Sequence, residues 1–160
     1  MKKTTHDLKT KWESLKQDQP YIRIRNAAER LGVSEMELLA RKINNGVVRL
    51  VPNFKEILTE IHSLGKVMAL TRNEECVHER KGTYLNGDFS SPHASLFVGE
   101  DIDLRIFLTH WKKAFSVVEK KASGITKSLQ FFGKDGNAIH KIFLTPDSNE
   151  EAFETIVNKY

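Results

Sequence analysis

The sequence predicts an α+β fold: a helical amino-terminal segment packed on a large antiparallel β-sheet, with a carboxy-terminal helix closing the chain. Three observations predict it. Apolar residues recur at helical spacing through the first third. From Lys66 to Leu144 the period falls to two, and helical spacing then returns. A length of 160 residues suits one domain with its own core, and no repeat, low-complexity tract or linker divides it.

The helices come first. Leu8, Trp12 and Leu15 make one apolar stripe, ended by Pro20. Ile24, Ala27, Ala28 and Leu31 make a second, closed by Gly32. Ser34 with Glu37 three residues on is a capping box for a third helix, whose inner face is expected to be Met36, Leu39, Ala40 and Ile43. Residues 47–51 read as a strand. Asn53 and Glu56 then open a fourth helix carrying Phe54, Ile57, Leu58 and Ile61, stopped by Gly65. Short strands are expected over 67–71, 75–80, 83–85, 94–98, 104–109, 115–119, 127–132 and 138–144. Asn86-Gly87 and Asp135-Gly136 are tight-turn pairs. Asp147 or Ser148 is expected to open the last helix, with Phe153, Ile156 and Val157 inward.

Composition narrows the function classes. Apolar residues make up 39% and charged residues 29%, the balance of an ordinary globular protein. A net charge of +4 favours acidic partners without choosing among phosphates, carboxylates and nucleic acid. No apolar run follows the basic start, so no signal peptide is expected, and no stretch is long enough for a membrane helix. Cys76 stands alone, which excludes an internal disulfide and a multi-cysteine zinc site. A reducing cytoplasm is the simplest compartment.

Six histidines are present, with no HExxH pattern or other zinc spacing. His6 lies near the start, His62 at a helix end, and His93, His110 and His140 in or beside strands. His78 differs in context. Alternation puts it on one face with Cys76, away from Val77. A neutral imidazole is the usual axial ligand of haem iron, and one such bond suffices because the porphyrin supplies four others. Cys76 is expected to be a small buried hydrophobe. Arg105 is the second candidate. Its strand puts Leu104, Ile106 and Leu108 on one face and Arg105 and Phe107 on the other. An arginine inside an apolar run is expected to be buried and to need a partner. That partner is a carboxylate such as Asp103 or Glu79, a ligand carboxylate, or a water on iron. A flat, apolar, anionic ligand carrying a metal would suit the pair, with Phe107, Leu85 and Phe97 as packing surfaces.

A second class of function has its own signal. The segment 24–43, with Ala28 to Ser34 at its turn, looks like a helix-turn-helix, and a basic chain with that motif suggests a DNA-binding regulator. The would-be recognition helix, however, begins Ser34-Glu35-Met36-Glu37. Two carboxylates at an exposed start would face phosphates badly. No nucleophile–base pair, glycine-rich phosphate loop or paired-carboxylate motif is present, so any turnover would rest on a cofactor or on the substrate.

Several segments carry a resemblance. They are Ala27-Ala28 to Gly32-Val33-Ser34, Arg72-Asn73-Glu74 to Val77-His78-Glu79, and Leu85-Asn86-Gly87. To these add Asp103 to Leu108 with Trp111, and Ser128 to Phe132 before Asp135-Gly136. In order and spacing they resemble the HemS/HmuS/ChuS family of cytoplasmic haem-trafficking and haem-degrading proteins. The resemblance covers the amino-terminal half of that family. It implies haem (iron protoporphyrin IX) as ligand, for transport, storage or degradation in iron acquisition, and ring opening by oxidation or reduction as a conceivable activity. Arg105 matches the family's distal arginine. The family's principal haem-ligating histidine belongs to a second half absent here, and His78 matches an alternative ligand. The resemblance therefore implies either a missing second half or a ChuX/HutX-like single repeat that pairs as a homodimer.

Overall fold

The computed structural model describes residues 5–160. Five helices and eight strands follow in order: α1 (Thr5–Asp18), α2 (Ile24–Leu31), α3 (Glu35–Ala40), β1 (Val47–Leu50), α4 (Phe54–Glu60), β2 (Gly65–Arg72), β3 (Val77–Gly82), β4 (Ser95–Val98), β5 (Asp103–Ile106), β6 (Trp111–Lys121), β7 (Gly124–Gly133), β8 (Ala138–Ser148) and α5 (Glu150–Lys159). Six strands form one sheet in the order β1-β6-β7-β8-β2-β3, and β4 and β5 form a hairpin sheet of their own. Every named pairing is antiparallel. The predicted fold class is therefore observed, with the strands divided between two sheets.

Each face of the large sheet has its own cover. On one face, Phe115 and Val117 of β6 and Phe132 of β7 meet Leu39 of α3, with Ile24 and Met36 beside them. Behind that contact, Trp12, Ala27, Ala28 and Leu38 join α1, α2 and α3 into a small core. On the other face, Ile57 and Leu58 of α4 and Phe153 and Ile156 of α5 pack on Val67, Leu129, Phe131 and Ile142. Tyr84, Phe97, Ile102 and Ile106 bring the hairpin sheet into this second core. Period-two alternation decides which side chain enters which core, because successive strand residues point to opposite faces.

Turn chemistry works as expected at some ends. Gly32 caps α2 in the left-handed conformation at φ 66°. Ser34 and Glu37 form the capping box. Gly136 (φ 81°) turns β7 into β8 where a Cβ would sit 2.3 Å from Ser34 Oγ, so this turn docks against the start of α3. Elsewhere the sequence misleads. Asn53 occupies the N-cap of α4 but its side chain caps nothing. Asn149, rather than Asp147 or Ser148, caps α5 by accepting from the Ala152 N–H. Ile43 lies beyond the end of α3, and is exposed. The stretch 83–85 is not a strand, yet Tyr84 is fully buried.

One ion pair locks α3 to the sheet. Glu35 (5% exposed) bonds the Lys141 ammonium of β8, a long-range buried pair. Taking one partner away strands the other charge out of water, so Glu35→Ala should cost about 3–5 kcal/mol. The double variant Glu35→Met with Lys141→Met should cost much less. Urea denaturation of the three proteins checks this, and equal losses for single and double variants would contradict it.

Candidate functional site

The predicted residues are divided between the outer strand β3 and the β4–β5 hairpin with its flanking loops, which the Arg80–Asp101 ion pair joins. Strand β3 is an outer strand, exposed from Val77 to Lys81. Its His78 lies opposite Thr71 of β2. The imidazole is exposed and makes no hydrogen bond with the other described residues. It is thus a free nitrogen donor on an open edge. Cys76 is not the buried hydrophobe expected. It is exposed, in a turn where the Asn73 side chain accepts from the N–H groups of Glu75 and Cys76. That Asx turn starts β3 only at Val77.

Arg105 follows the predicted parity but not the predicted burial. Leu104 and Ile106 face the core, while the Arg105 side chain is 68% exposed. Its partner is Asp103, at 3.5 Å between Nη1 and Oδ1. The carboxylate alternative is the one realised, as a loose contact that a ligand carboxylate can replace. The hairpin register sets Leu96 beside Arg105 and Val98 beside Asp103. Phe107, Val98 and Leu85 are about half exposed. The outward face of this hairpin is therefore one arginine among apolar side chains. Phe97 points the other way. It is buried, edge-on to Tyr84 at 4.9 Å and to Phe89 at 5.7 Å between ring centroids. It borders a cleft of about 260 Å³ shared with Tyr84, Leu85 and His62. Among the described residues no cluster of His, Cys, Asp and Glu could hold a free metal ion.

The remaining histidines separate by environment. The side chain of His6 lies outside the described residues. His62 donates through Nδ1 to the Thr59 carbonyl at 2.9 Å. His110 and His93 are exposed. The sequence offers His140, with His93, only as the next candidate ligand after His78, yet it is the most structured of the described histidines. It is 5% exposed and bonded on both ring nitrogens, Nε2 to Tyr84 Oη at 2.5 Å and Nδ1 to Thr71 Oγ1 at 2.9 Å. Burial raises the Tyr84 phenol well above its usual range, so its proton stays on and needs an acceptor. His140 Nε2 fills that need, which leaves Nδ1–H to donate to Thr71. Burial likewise pushes the imidazole down to about 4, so His140 is neutral at pH 7. Nothing in its sequence neighbourhood signals this; only the fold brings Tyr84 and Thr71 to it.

The segment 24–43 is a cover, not a nucleic-acid reader. α3 has six residues, and Leu38, Leu39 and Glu35 are all buried against helices and sheet. The start of the would-be recognition helix is thus spent on Lys141.

Together these features define a class: an α+β domain with both faces of its large sheet covered, a free imidazole on its open edge strand, and a separate hairpin whose outward face carries an arginine and exposed apolar side chains. Comparison with known proteins places it further. The chain matches the haemin-degrading HemS/ChuX domain over residues 32–160 and belongs to that family. It is 34% identical over 146 residues to the hemin transport protein HemS of Yersinia enterocolitica, covering 91% of this chain and 42% of that protein. It is 41% identical to holo-PhuS, a heme-binding protein from Pseudomonas aeruginosa, with a TM-score of 0.91 over 98% of this chain and 45% of that one. ChuX shares the fold at 19% identity, with a TM-score of 0.78, over 92% of this chain and 96% of its own. The chain thus spans less than half the length of HemS and PhuS.

The His140 network predicts a pH dependence of stability. Its folded pKa lies below the value of about 6.5 expected when unfolded, so the unfolded state binds the proton more readily. The contribution is complete above pH 6.5 and lost as pH falls through 4, by a few kcal/mol at most. Denaturant midpoints measured between pH 7 and 4 should fall more steeply for the wild type than for His140→Gln. Parallel slopes would assign the acid sensitivity elsewhere.

Proposed function

We propose that this chain binds haem, for transport, storage or degradation in iron acquisition, at the β3 edge and the outward face of the β4–β5 hairpin. Family membership is the observation that carries the reading. Its support in this chain is chemical. His78 offers an unpartnered imidazole for the iron. Arg105, held only by Asp103, offers a cation to a propionate or to a polar group on the iron. Phe107, Val98 and Leu85 offer apolar surface to the macrocycle. Phe97 serves from the buried side, through its ring contact with Tyr84. His140 is excluded as a ligand by its burial and its two hydrogen bonds.

The iron supplies a coordination position, and the chain's residues bind and orient around it. Residues 1–160 act in this reading as one haem-utilisation domain in the cytoplasm. Two copies pair as a homodimer, and the second copy covers the ligand face that one chain leaves open. No described helix is long and apolar enough to cross a membrane.

Hemin titration followed by absorbance tests the proposal. The wild type should give a saturable Soret band at one hemin per chain. His78→Ala should shift that band and weaken binding about tenfold or more, as loss of an axial bond requires. Arg105→Ala should keep the band position and lose about fivefold, near 1 kcal/mol for an exposed charge pair. A saturable band indifferent to His78→Ala would move the ligand, His93 being the next exposed imidazole. No saturable band would remove haem from the function.

A further inference from the structure

On the side of the β4–β5 hairpin away from Arg105 lies a second cavity, of about 320 Å³. Ser95 and Ile106 are register partners on that inner side, and both line it. Lys55 of α4, His93 and Thr109 add polar groups at its wall, while Phe89 and Leu108 add apolar ones. Two polar groups of the wall are unpaired. Ser95 is 5% exposed and lines the cavity, and no other described residue hydrogen-bonds its hydroxyl. The exposed Lys55 ammonium has no carboxylate partner among the described residues. No Asp or Glu lines the cavity. The Ser91 hydroxyl, by contrast, is already used within its own loop, accepting from the His93 and Ala94 N–H groups.

We propose that this cavity is a binding site for a small organic carboxylate, separate from the haem surface. The chemistry of the walls selects the class. Unpaired donors of Lys55, Ser95 and Thr109 line the one cavity, and with no carboxylate in its wall they favour an anion. Phe89, Ile106 and Leu108 favour an apolar body attached to it, so a hydrated inorganic anion would leave half the wall unpaired. The volume lies at the small end of ligand cavities, too small to enclose a porphyrin. Strand alternation separates the two sites. Arg105 and Leu96 project from one face of the hairpin, Ser95 and Ile106 from the other. A ligand here would press on Phe89, which also borders the cleft beneath Leu85, and so would reach the haem surface only through packing.

Sodium benzoate is the probe, with benzamide as its neutral isostere, in amide NMR titrations of the whole chain. Benzoate should shift the Ser95, Ile106 and Thr109 amides saturably, and benzamide should not. Lys55→Met, an exposed substitution whose fold the same spectrum reports, should weaken benzoate at least fivefold. Ser95→Ala should weaken it less. Gallium protoporphyrin, a diamagnetic stand-in for haem, should leave the benzoate shifts in place. Shifts that do not saturate, equal binding of benzamide, or unchanged affinity in Lys55→Met would each overturn the proposal. So would displacement of benzoate by the porphyrin, since the cavity would then belong to the haem site. Because hemin affinity is read separately from the Soret band, failure here is distinguishable from failure of haem binding.

Discussion

The hydrogen-bonded chain from Tyr84 through His140 to Thr71 is the constraint on which the candidate site depends. It joins three parts of the fold that no single segment would hold together. His140 stands in the middle of the large sheet, on β8. Thr71 belongs to β2 and faces His78 across the last strand pairing. Tyr84 leaves the end of β3 and meets Phe97 of the hairpin edge to face. A shift of the hairpin would move Tyr84 and leave a buried phenol and a buried imidazole short of partners. Each unsatisfied buried polar group costs about 1–3 kcal/mol. The two surfaces that bear His78 and Arg105 are therefore held in one arrangement by a polar contact beneath them. A neutral imidazole suits this task, because it gives one hydrogen bond and takes another without bringing in a charge.

A second constraint acts from the opposite face. The Glu35–Lys141 pair and the bond from the Met36 N–H to the Gly136 carbonyl tie the start of α3 to β8 and to the β7–β8 turn. A buried pair of this kind adds little net stability over an apolar contact of the same shape, but it penalises wrong registers heavily. Its value is in placement. With α3 fixed, Leu39 meets Phe115 and Phe132, and α1 and α2 can close over it. Both faces of β8 thus carry a buried polar residue, Lys141 on one and His140 on the other, and each anchors the layer it faces. The strand that carries none of the candidate site residues is thus tied to both layers.

Much of this was legible in the sequence, and the misses share a cause. Helical spacing located all five helices, and the Ser34–Glu37 box is realised as written. Parity on β5 correctly set Arg105 opposite Ile106. Parity says which residues share a face, however, and not whether that face is covered. Arg105 and Phe107 were expected inside an apolar slot, yet both are exposed among the described residues. Phe97 errs in the other direction: its register partner Leu104 faces the core, so Phe97 does too. Glu35 looked like an exposed helix start because its partner is 106 positions away. His140 was one strand histidine among several until the fold supplied Tyr84 and Thr71. Burial of polar groups is decided by long-range neighbours, and a single sequence carries only a local record of them.

The exposed surfaces bear on how such a chain can act. Strand β3 is a sheet edge, and Glu79, Arg80 and Lys81 are the charged residues that discourage further strands from adding there. Arg80 is also tied back to Asp101, which fastens the hairpin to this edge. Against that guarded edge, Phe107, Val98 and Leu85 remain half exposed, with the Arg105–Asp103 pair as the charge beside them. Isolated surface apolars need no explanation, but several grouped on and around one small sheet mark a candidate binding surface. A flat ligand laid on it would be buried on one side only. About half its apolar area would stay in water, and with it about half the available driving force. Tight retention then requires a second wall, whether from another copy or from a longer protein.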